Sequence, residues 1–197
     1  MSILVEEKEI LIKLGHLLDE ERIEHSIGVK ECAAELAKIY NEDVSKAAIA
    51  GLLHDCAKGF DDHQLIQKSK EYNVKLDPIS VLQKELIHGP LGAKIAKHLF
   101  NIKDKDILSA IEYHTYGRKD MTVLEKIIFL ADLIEPGRDY PGVEKLRALA
   151  EKDLDRAVLK ALDNNIIYIV TKGQLIHPNT IEARNYIIKE LFFEKYE

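Results

Sequence analysis

Two cysteines are all that this chain of 197 residues holds. Cys32 and Cys56 are too few for a disulfide framework and lack the CxxC spacing of a thiolate metal site, so both are expected as reduced thiols of a cytoplasmic protein. Long apolar runs are also lacking. The longest, Ile127 to Ile134, is broken by Asp132 and falls well short of the ~20 residues that a membrane-spanning helix needs. Met1 to Leu18 carries Glu6, Glu7, Lys8, Glu9 and Lys13, a pattern that fits neither a secretory signal nor a span. Clustered Lys and Arg are missing, and the formal net charge is −6. The chain is therefore not expected to bind nucleic acid, whose recognition begins with cationic contacts to the phosphate backbone. A small phosphorylated ligand needs only a few placed cations and stays within reach. No repeat, low-complexity tract or linker divides the chain, so its length suits a single domain over residues 1–197 with a hydrophobic core of its own.

Sustained apolar alternation, which a half-buried strand requires, is absent, whereas helical spacing recurs nearly throughout; the fold class is all-α. Helices are predicted over Glu6–Leu18, Asp19–Tyr40, Asp43–Asp55, Asp61–Tyr72, Pro78–Gln83, Pro90–Phe100, Lys103–His114, Thr122–Ile134, Val143–Glu151, Leu154–Lys172 and Thr180–Glu194. Asp43 is placed to cap the third of these, Pro90 suits a first helical position, and Gly117 and Gly173 fall where helices should stop. Ile166 to Val170 is rich in β-branched residues but has no partner strand. The helices from Val143 onward are expected to pack on a core over about residues 19–140, and the exposed faces of the terminal helices leave a homodimer open.

What the chain does have is a series of histidines and aspartates in segments that should be buried. Ala47-Ala48-Ile49-Ala50-Gly51-Leu52-Leu53 carries no charge and delivers His54 and Asp55 at a helix C-terminus, where the terminal carbonyls favour a cation. A carboxylate taken into a core is costly unless a cation meets it, and no Lys or Arg stands three or four residues before Asp55. A bound metal ion would satisfy these conditions together. Asp132 lies in a segment that is apolar all round, with Ile128 and Phe129 one turn before it, so its partner must also come from elsewhere. His25 continues the stripe Val29, Cys32, Leu36, Ile39, with Arg22 one turn before it. His88 precedes Gly89-Pro90 at the mouth of a helix whose first amides could meet an anion, and His114 ends a helix with Ile107, Ala110 and Ile111 inward. Taken singly, His25, His88 and His114 also suit a packed core histidine, a loop histidine and a helix-end histidine. His16, His63 and His98 sit among charged neighbours and read as surface residues.

Jointly, His25, His54-Asp55, His88, His114 and Asp132 on an all-helical frame resemble the HD-domain phosphohydrolase superfamily, and the fold implied is an HD-domain helical bundle with a metal site in its core. The resemblance implies one ion held by His25, His54, Asp55 and Asp132. His88 and His114 either hold a second ion together with Asp55 or contact phosphate. Phe129-Leu130-Ala131-Asp132-Leu133-Ile134-Glu135-Pro136-Gly137-Arg138 narrows the resemblance to the YqeK-like family, the symmetrical diadenosine tetraphosphate hydrolases. Arg22-Ile23-Glu24-His25-Ser26, Gly51-Leu52-Leu53-His54-Asp55-Cys56-Ala57-Lys58 and Ile176-His177-Pro178-Asn179-Thr180-Ile181-Glu182-Ala183-Arg184-Asn185 match that family too, so the similarity runs from Arg22 to Asn185. Imidazole and carboxylate donors accept iron, manganese, cobalt, zinc or nickel; the resemblance puts iron first. Cys56, on a helix, would point roughly 100° away from Asp55 and reads as packing.

The implied reaction is attack of a metal-bound hydroxide on the central polyphosphate, releasing two ADP. Asp55 would bridge two ions if both are present, and otherwise His88 and His114 would contact phosphate and supply a proton to the leaving group. Lys58 would meet phosphate as a point charge, and Arg22 and Arg138 as bidentate clamps. Further substrate contacts implied by the family are His25, Asp132, Gly59, Phe60, Asp61 and Thr115, with Leu175-Ile176-His177-Pro178-Asn179-Thr180 closing over the base of an ADP-like or GDP-like nucleotide. From the residues alone, that last segment is a helix junction: Gly173 ends one helix, Pro178 punctuates, and Asn179 or Thr180 caps the next. Arg138-Asp139-Tyr140-Pro141-Gly142 is turn-rich and is expected to move over substrate.

Other roles fit parts of the pattern. An HD phosphohydrolase could act on a nucleoside monophosphate, a dNTP, a cyclic nucleotide or guanosine tetraphosphate; the HDxxK form is shared with cyclic dinucleotide phosphodiesterases, but no Gly-Tyr-Pro triplet follows it. A metal-loaded nucleotide sensor would not turn over. A purely structural helical protein would leave Asp55 and Asp132 without counter-charges, unless Asp132 is paired with an arginine.

Overall fold

A computed structural model of the chain describes residues 3–193. Among them are eleven α-helices: α1 (Ile3–Leu14), α2 (Glu20–Ile39), α3 (Val44–Leu53), α4 (Asp62–Glu71), α5 (Pro78–Leu82), α6 (His88–Leu99), α7 (Lys105–Tyr113), α8 (Val123–Ile134), α9 (Val143–Ala150), α10 (Leu154–Thr171) and α11 (Pro178–Phe192), with a 3-10 turn at Lys84–Ile87. The described residues form no strand, and Ile166 to Val170 lies inside α10. No described helix is long and apolar enough to cross a membrane.

Short polar side chains start most of these helices by accepting from first-turn amides that lack an intrahelical partner. Asp43 takes the amides of Ser45 and Lys46. Thr122 and Glu125 form a capping box on α8, as do Asp61 and Gln64 on α4. The apolar helix α3 packs against α2, α7 and α8, and α6 packs against α7. α10 lies on α8 and α9, with α11 against it. Ala47, Leu53, Val29, Ile111, Ile127, Ile128 and Leu130 are fully buried at the centre of this arrangement.

Two glycines set how closely the site-bearing helices approach. A Cβ on Gly51 would lie 2.9 Å from the Lys30 Cα, and one on Gly89 would lie 2.7 Å from the Glu112 carbonyl oxygen. The first contact lets α3 sit on the backbone of α2, and the second lets α6 sit on α7. Gly51→Ala must therefore push α2 and α3 apart, at a cost of roughly 1–3 kcal/mol. In a chain of this size that is a fall in Tm of about 3–10 °C by calorimetry; an unchanged Tm would contradict the tight crossing.

Several helix ends differ from expectation. α1 stops at Leu14, and beyond it the amides of His16 and Leu17 bond only three residues back, to Lys13 and Leu14. α3 stops at Leu53, and the amides of Cys56 and Lys58 bond to the carbonyls of Leu53 and Asp55, so Asp55 rides in a tightened turn rather than on a regular helix. α6 begins at His88, not Pro90, with the 3-10 turn feeding into it; a proline in the first turn forfeits no hydrogen bond because that amide has no helical partner. Ile39, counted among inward residues, is exposed on the last turn of α2. The expected end of the last helix at Glu194 lies outside the described residues. Gly117 and Gly173 do follow helix ends with positive φ. Cys56 is buried, with its thiol reaching the Gly92 carbonyl at 3.4 Å. Burial, with the Glu135 carboxylate adding to it, pushes the Cys32 thiol up to about 12.

Candidate metal centre

All six residues of the expected ligand set meet. His25 comes from the second turn of α2, His54 and Asp55 from the turn closing α3, His88 from the first position of α6, His114 from the cap of α7, and Asp132 from the last turn of α8. Three overlapping groups could each hold an ion: His25, His54 and Asp55; His54, His114 and Asp132; and Asp55, His88 and His114. Asp55 faces both halves. Its Oδ2 is 3.7 Å from His54 Nε2, and its Oδ1 is 3.2 Å from His88 Nε2 and 3.5 Å from His114 Nε2. Asp132 Oδ1 is 3.0 Å from His25 Nε2 and 3.7 Å from His54 Nε2.

The outer nitrogens fix the tautomers. His54 Nδ1 is 2.8 Å from the Gly51 carbonyl oxygen, His114 Nδ1 is 2.8 Å from that of Ile111, and His88 Nδ1 meets that of Glu85. A carbonyl only accepts, so in each case Nδ1 carries the proton and Nε2 is a bare lone pair. His25 Nδ1 does the same toward Glu135 Oε1 at 3.1 Å. Four basic nitrogens therefore point inward. His54 Nε2 is buried with no hydrogen-bond partner, and the Nε2 atoms of His88 and His114 face each other at 3.1 Å. Nitrogens with lone pairs set against one another and against carboxylates call for a cation between them, and nitrogen and oxygen donors held by outer hydrogen bonds are what a divalent transition metal requires.

The carboxylates and imidazoles of the centre perturb one another strongly. Burial alone would raise the Asp55 carboxyl, but the rings of His54, His114 and His88 more than reverse this and hold it well below the usual carboxylate range. Asp132 is likewise held down against burial by the neighbouring His25 and His54 rings. His54 is raised, since the charges of Asp55 and Asp132 outweigh its burial, whereas burial prevails at His88 and lowers it.

One expectation needs correction: both carboxylates are met by an arginine. Arg22 reaches Asp55 Oδ2 at 3.3 Å, and Arg138 reaches Asp132 Oδ1 at 2.6 Å while its Nε donates to the Asp132 carbonyl at 2.7 Å. The Asp132–Arg138 pair is what a purely structural role would require. Arg138 does not reach the His54, His88 and His114 lone pairs, because it comes near only one imidazole, at 3.4 Å from His25 Nε2.

The centre opens into a cavity of about 330 Å³ lined by Arg22, Asp55, Lys58, His88, His114, Thr115, Phe129, Asp132, Leu133, Arg138 and Asn165. Lys58 Nζ is 3.3 Å from His88 Nδ1, and burial lowers its pKa. Thr115 Oγ1 is 3.2 Å from Nε2 of both His88 and His114. Gly59, Phe60 and Asp61 are not in this wall. Gly59 packs on the Leu17 carbonyl, the Phe60 ring lies under Lys68, and Asp61 caps α4.

Leu175 to Thr180 also lie outside the wall, at the junction of α10 and α11. His177, not Asn179 or Thr180, caps α11 by accepting from the Asn179 amide. Its ring stacks on Tyr116 with centroids 4.1 Å apart and pairs with Asp77 at 3.3 Å, and Thr180 donates to the Tyr116 carbonyl. Although burial opposes it, hydrogen bonds from Ser80 and His177 hold the Asp77 carboxyl at about 2. The junction is thus tied to the turn that carries His114 and Thr115. The loop after Arg138 is strapped down as well, with the Tyr140 hydroxyl on the Leu133 carbonyl and Arg147 on the carbonyls of Ile134, Glu135 and Arg138. His16, His63 and His98 are exposed, as expected. Sequence reasoning gave no role to Glu135, Arg147 or Asn165; the signals for Glu135 were its place three residues after Asp132 and its presence in the stretch that narrows the family resemblance.

Comparison with known proteins agrees with this arrangement. The family model of the HD domain matches residues 22–137, a span that includes all six residues. The symmetrical bis(5'-nucleosyl)-tetraphosphatase of Halalkalibacterium halodurans is 43% identical over 173 residues, covering 88% of this chain and 92% of that protein. The protein of the same name from Bacillus subtilis is 39% identical, covering 92% and 97%. A crystal structure from Clostridium acetobutylicum, described as a predicted HD superfamily hydrolase involved in NAD metabolism, superposes with a TM-score of 0.90 at 46% identity, covering 93% of this chain and 97% of that one. The chain belongs to the HD-domain family and, within it, to the family of the symmetrical bis(5'-nucleosyl)-tetraphosphatases.

Proposed function

We propose that this protein is a metal-dependent phosphohydrolase that cleaves diadenosine tetraphosphate symmetrically into two ADP. The observation that carries this reading is the convergence of four bare imidazole nitrogens and two carboxylates in one cavity whose rim is cationic. A divalent ion bound there would lower the pKa of a water molecule and polarise a phosphoryl oxygen. His25, His54, Asp55 and Asp132 are the proposed holders of the first ion, and Asp55, His88 and His114 of a second; iron is the ion that the family resemblance implies. Arg22 and Arg138 offer planar forks to phosphate oxygens, and Lys58 a point charge, so three local cations receive a highly anionic substrate in an acidic protein. Where only one ion binds, Nε2 of His88 and His114 is free to hold a proton for the leaving oxygen.

The cavity is at the small end of ligand pockets and suits the polyphosphate, with the nucleosides extending beyond it. Phe60 and the segment 175–180 are the proposed nucleoside contacts. Each is joined within a few residues to the wall, Phe60 through Lys58 and the segment through Tyr116 and Thr115. Two free cysteines support a cytoplasmic setting.

Lys58→Ala separates substrate binding from metal binding. Loss of one charge-assisted contact to phosphate is expected to lower kcat/KM by about 10–100-fold, with metal content by elemental analysis unchanged. Equal loss of metal would make Lys58 part of the centre instead. The reading itself is tested by stripping the protein with a chelator and assaying diadenosine tetraphosphate before and after adding iron(II) or manganese. Activity should vanish and return; hydrolysis by protein free of metal would refute it.

A further inference from the structure

His25 differs from the other three histidines in one respect. His54, His88 and His114 stand at helix ends or junctions, where the carbonyl three residues back is available to their Nδ1–H. His25 sits inside α2, past its first turn, where carbonyls are already engaged by amides four residues on. Its Nδ1–H needs a side-chain acceptor, and Glu135 supplies it from 110 positions along the chain, at 3.1 Å.

We infer that Glu135 is a positioning residue of the metal centre, a buried carboxylate that orients the His25 ring and keeps its proton on Nδ1, so that Nε2 faces the centre as a donor. This inference rests on the metal-centre reading above. The surroundings are built for that carboxylate. Its side chain is only 6% exposed. Gly28, one turn after His25 on the same face of α2, clears the space, since a Cβ there would lie 2.7 Å from Glu135 Oε2. The Gly137 amide donates to that same Oε2. Arg147 holds the Glu135 carbonyl at 2.7 Å, with those of Ile134 and Arg138 at 2.8 Å, so the main chain beneath the carboxylate is fixed. One helix end thus supplies both Asp132 for the centre and, three residues later, the carboxylate behind its neighbouring histidine. The other imidazoles rest on backbone carbonyls, so His25 alone depends on a side chain for its orientation.

The test is metal affinity, measured by competition between the chelator-stripped full-length protein and a chromophoric chelator for manganese(II) and cobalt(II), in the wild type, Glu135→Gln and Glu135→Ala. Glutamine keeps the size but offers one acceptor oxygen where the carboxylate offers two, so it cannot serve both the His25 ring and the Gly137 amide. Both variants should bind an ion about 10–100-fold more weakly than the wild type, the range in which outer partners of metal ligands act. If two ions bind, only one step should shift. Glu135→Gln should keep near wild-type helicity while its affinity falls, whereas a merely structural role would lower Tm and leave affinity intact. Wild-type affinity in both variants would overturn the inference whatever happens to Tm. A wild-type protein that takes up no ion would instead defeat the metal-centre reading, and this inference with it.

Discussion

Asp55→Asn is expected to lower kcat for diadenosine tetraphosphate by about a thousandfold or more. The carboxylate faces His88 and His114 with one oxygen and His54 and Arg22 with the other, so it is the group shared by both halves of the centre. Asparagine keeps the shape but removes the charge and turns one acceptor into a donor, aimed either at bare imidazole nitrogens or at the Arg22 guanidinium. Stabilisation of the transition-state charge by a metal centre amounts to several kcal/mol; losing about 4 kcal/mol is a factor of about a thousand in rate. The fold should survive, because the Arg22 side chain is 41% exposed and can turn to water. Steady-state kinetics and metal analysis on one preparation decide the matter. A variant that keeps more than a tenth of wild-type kcat would show that Asp55 does not bridge the site.

Asp132→Asn separates a metal ligand from a structural ion pair. If the carboxylate served only to pair with Arg138 at 2.6 Å, its loss would appear as lower stability. Breaking a buried pair costs about 3–5 kcal/mol, and the partial exposure of both groups would reduce that toward the surface value. Metal uptake would not change. As a ligand, Asp132 holds an oxygen 3.0 Å from His25 Nε2 and 3.7 Å from His54 Nε2. Its replacement should then weaken metal binding by more than the ~10–100-fold that an outer partner is worth, and turnover should vanish while circular dichroism stays near wild type. The opposite pattern, a large fall in Tm with full metal occupancy, would make Asp132 structural.

The six residues that meet at the candidate centre were legible because their placement in apolar sequence leaves them unexplained. The uncharged run before His54 and the all-apolar helix around Asp132 each demand a partner that local spacing does not supply. The identity of those partners was not legible. Arg138 lies beyond the end of α8 and folds back on Asp132, and Arg22 meets Asp55 across the α2–α3 contact; neither pairing follows helical spacing. His88 was expected just before a helix starting at Pro90, which suits a first helical position, yet a proline in the first turn is equally compatible with a helix that begins two residues earlier. The His25–Glu135 contact is set by a tertiary packing of α2 on α8 that no local pattern encodes. At the α10–α11 junction the residues alone indicated a cap, and a cap is present, but His177 provides it while also stacking on Tyr116.

The most direct measurement is chromatography of the nucleotides released from diadenosine tetraphosphate by the metal-loaded protein. Attack in the middle of the polyphosphate predicts ADP alone, appearing only with metal and at two molecules per substrate consumed. ATP with AMP in equal amounts would place the attack at the end of the chain and contradict the symmetrical reaction.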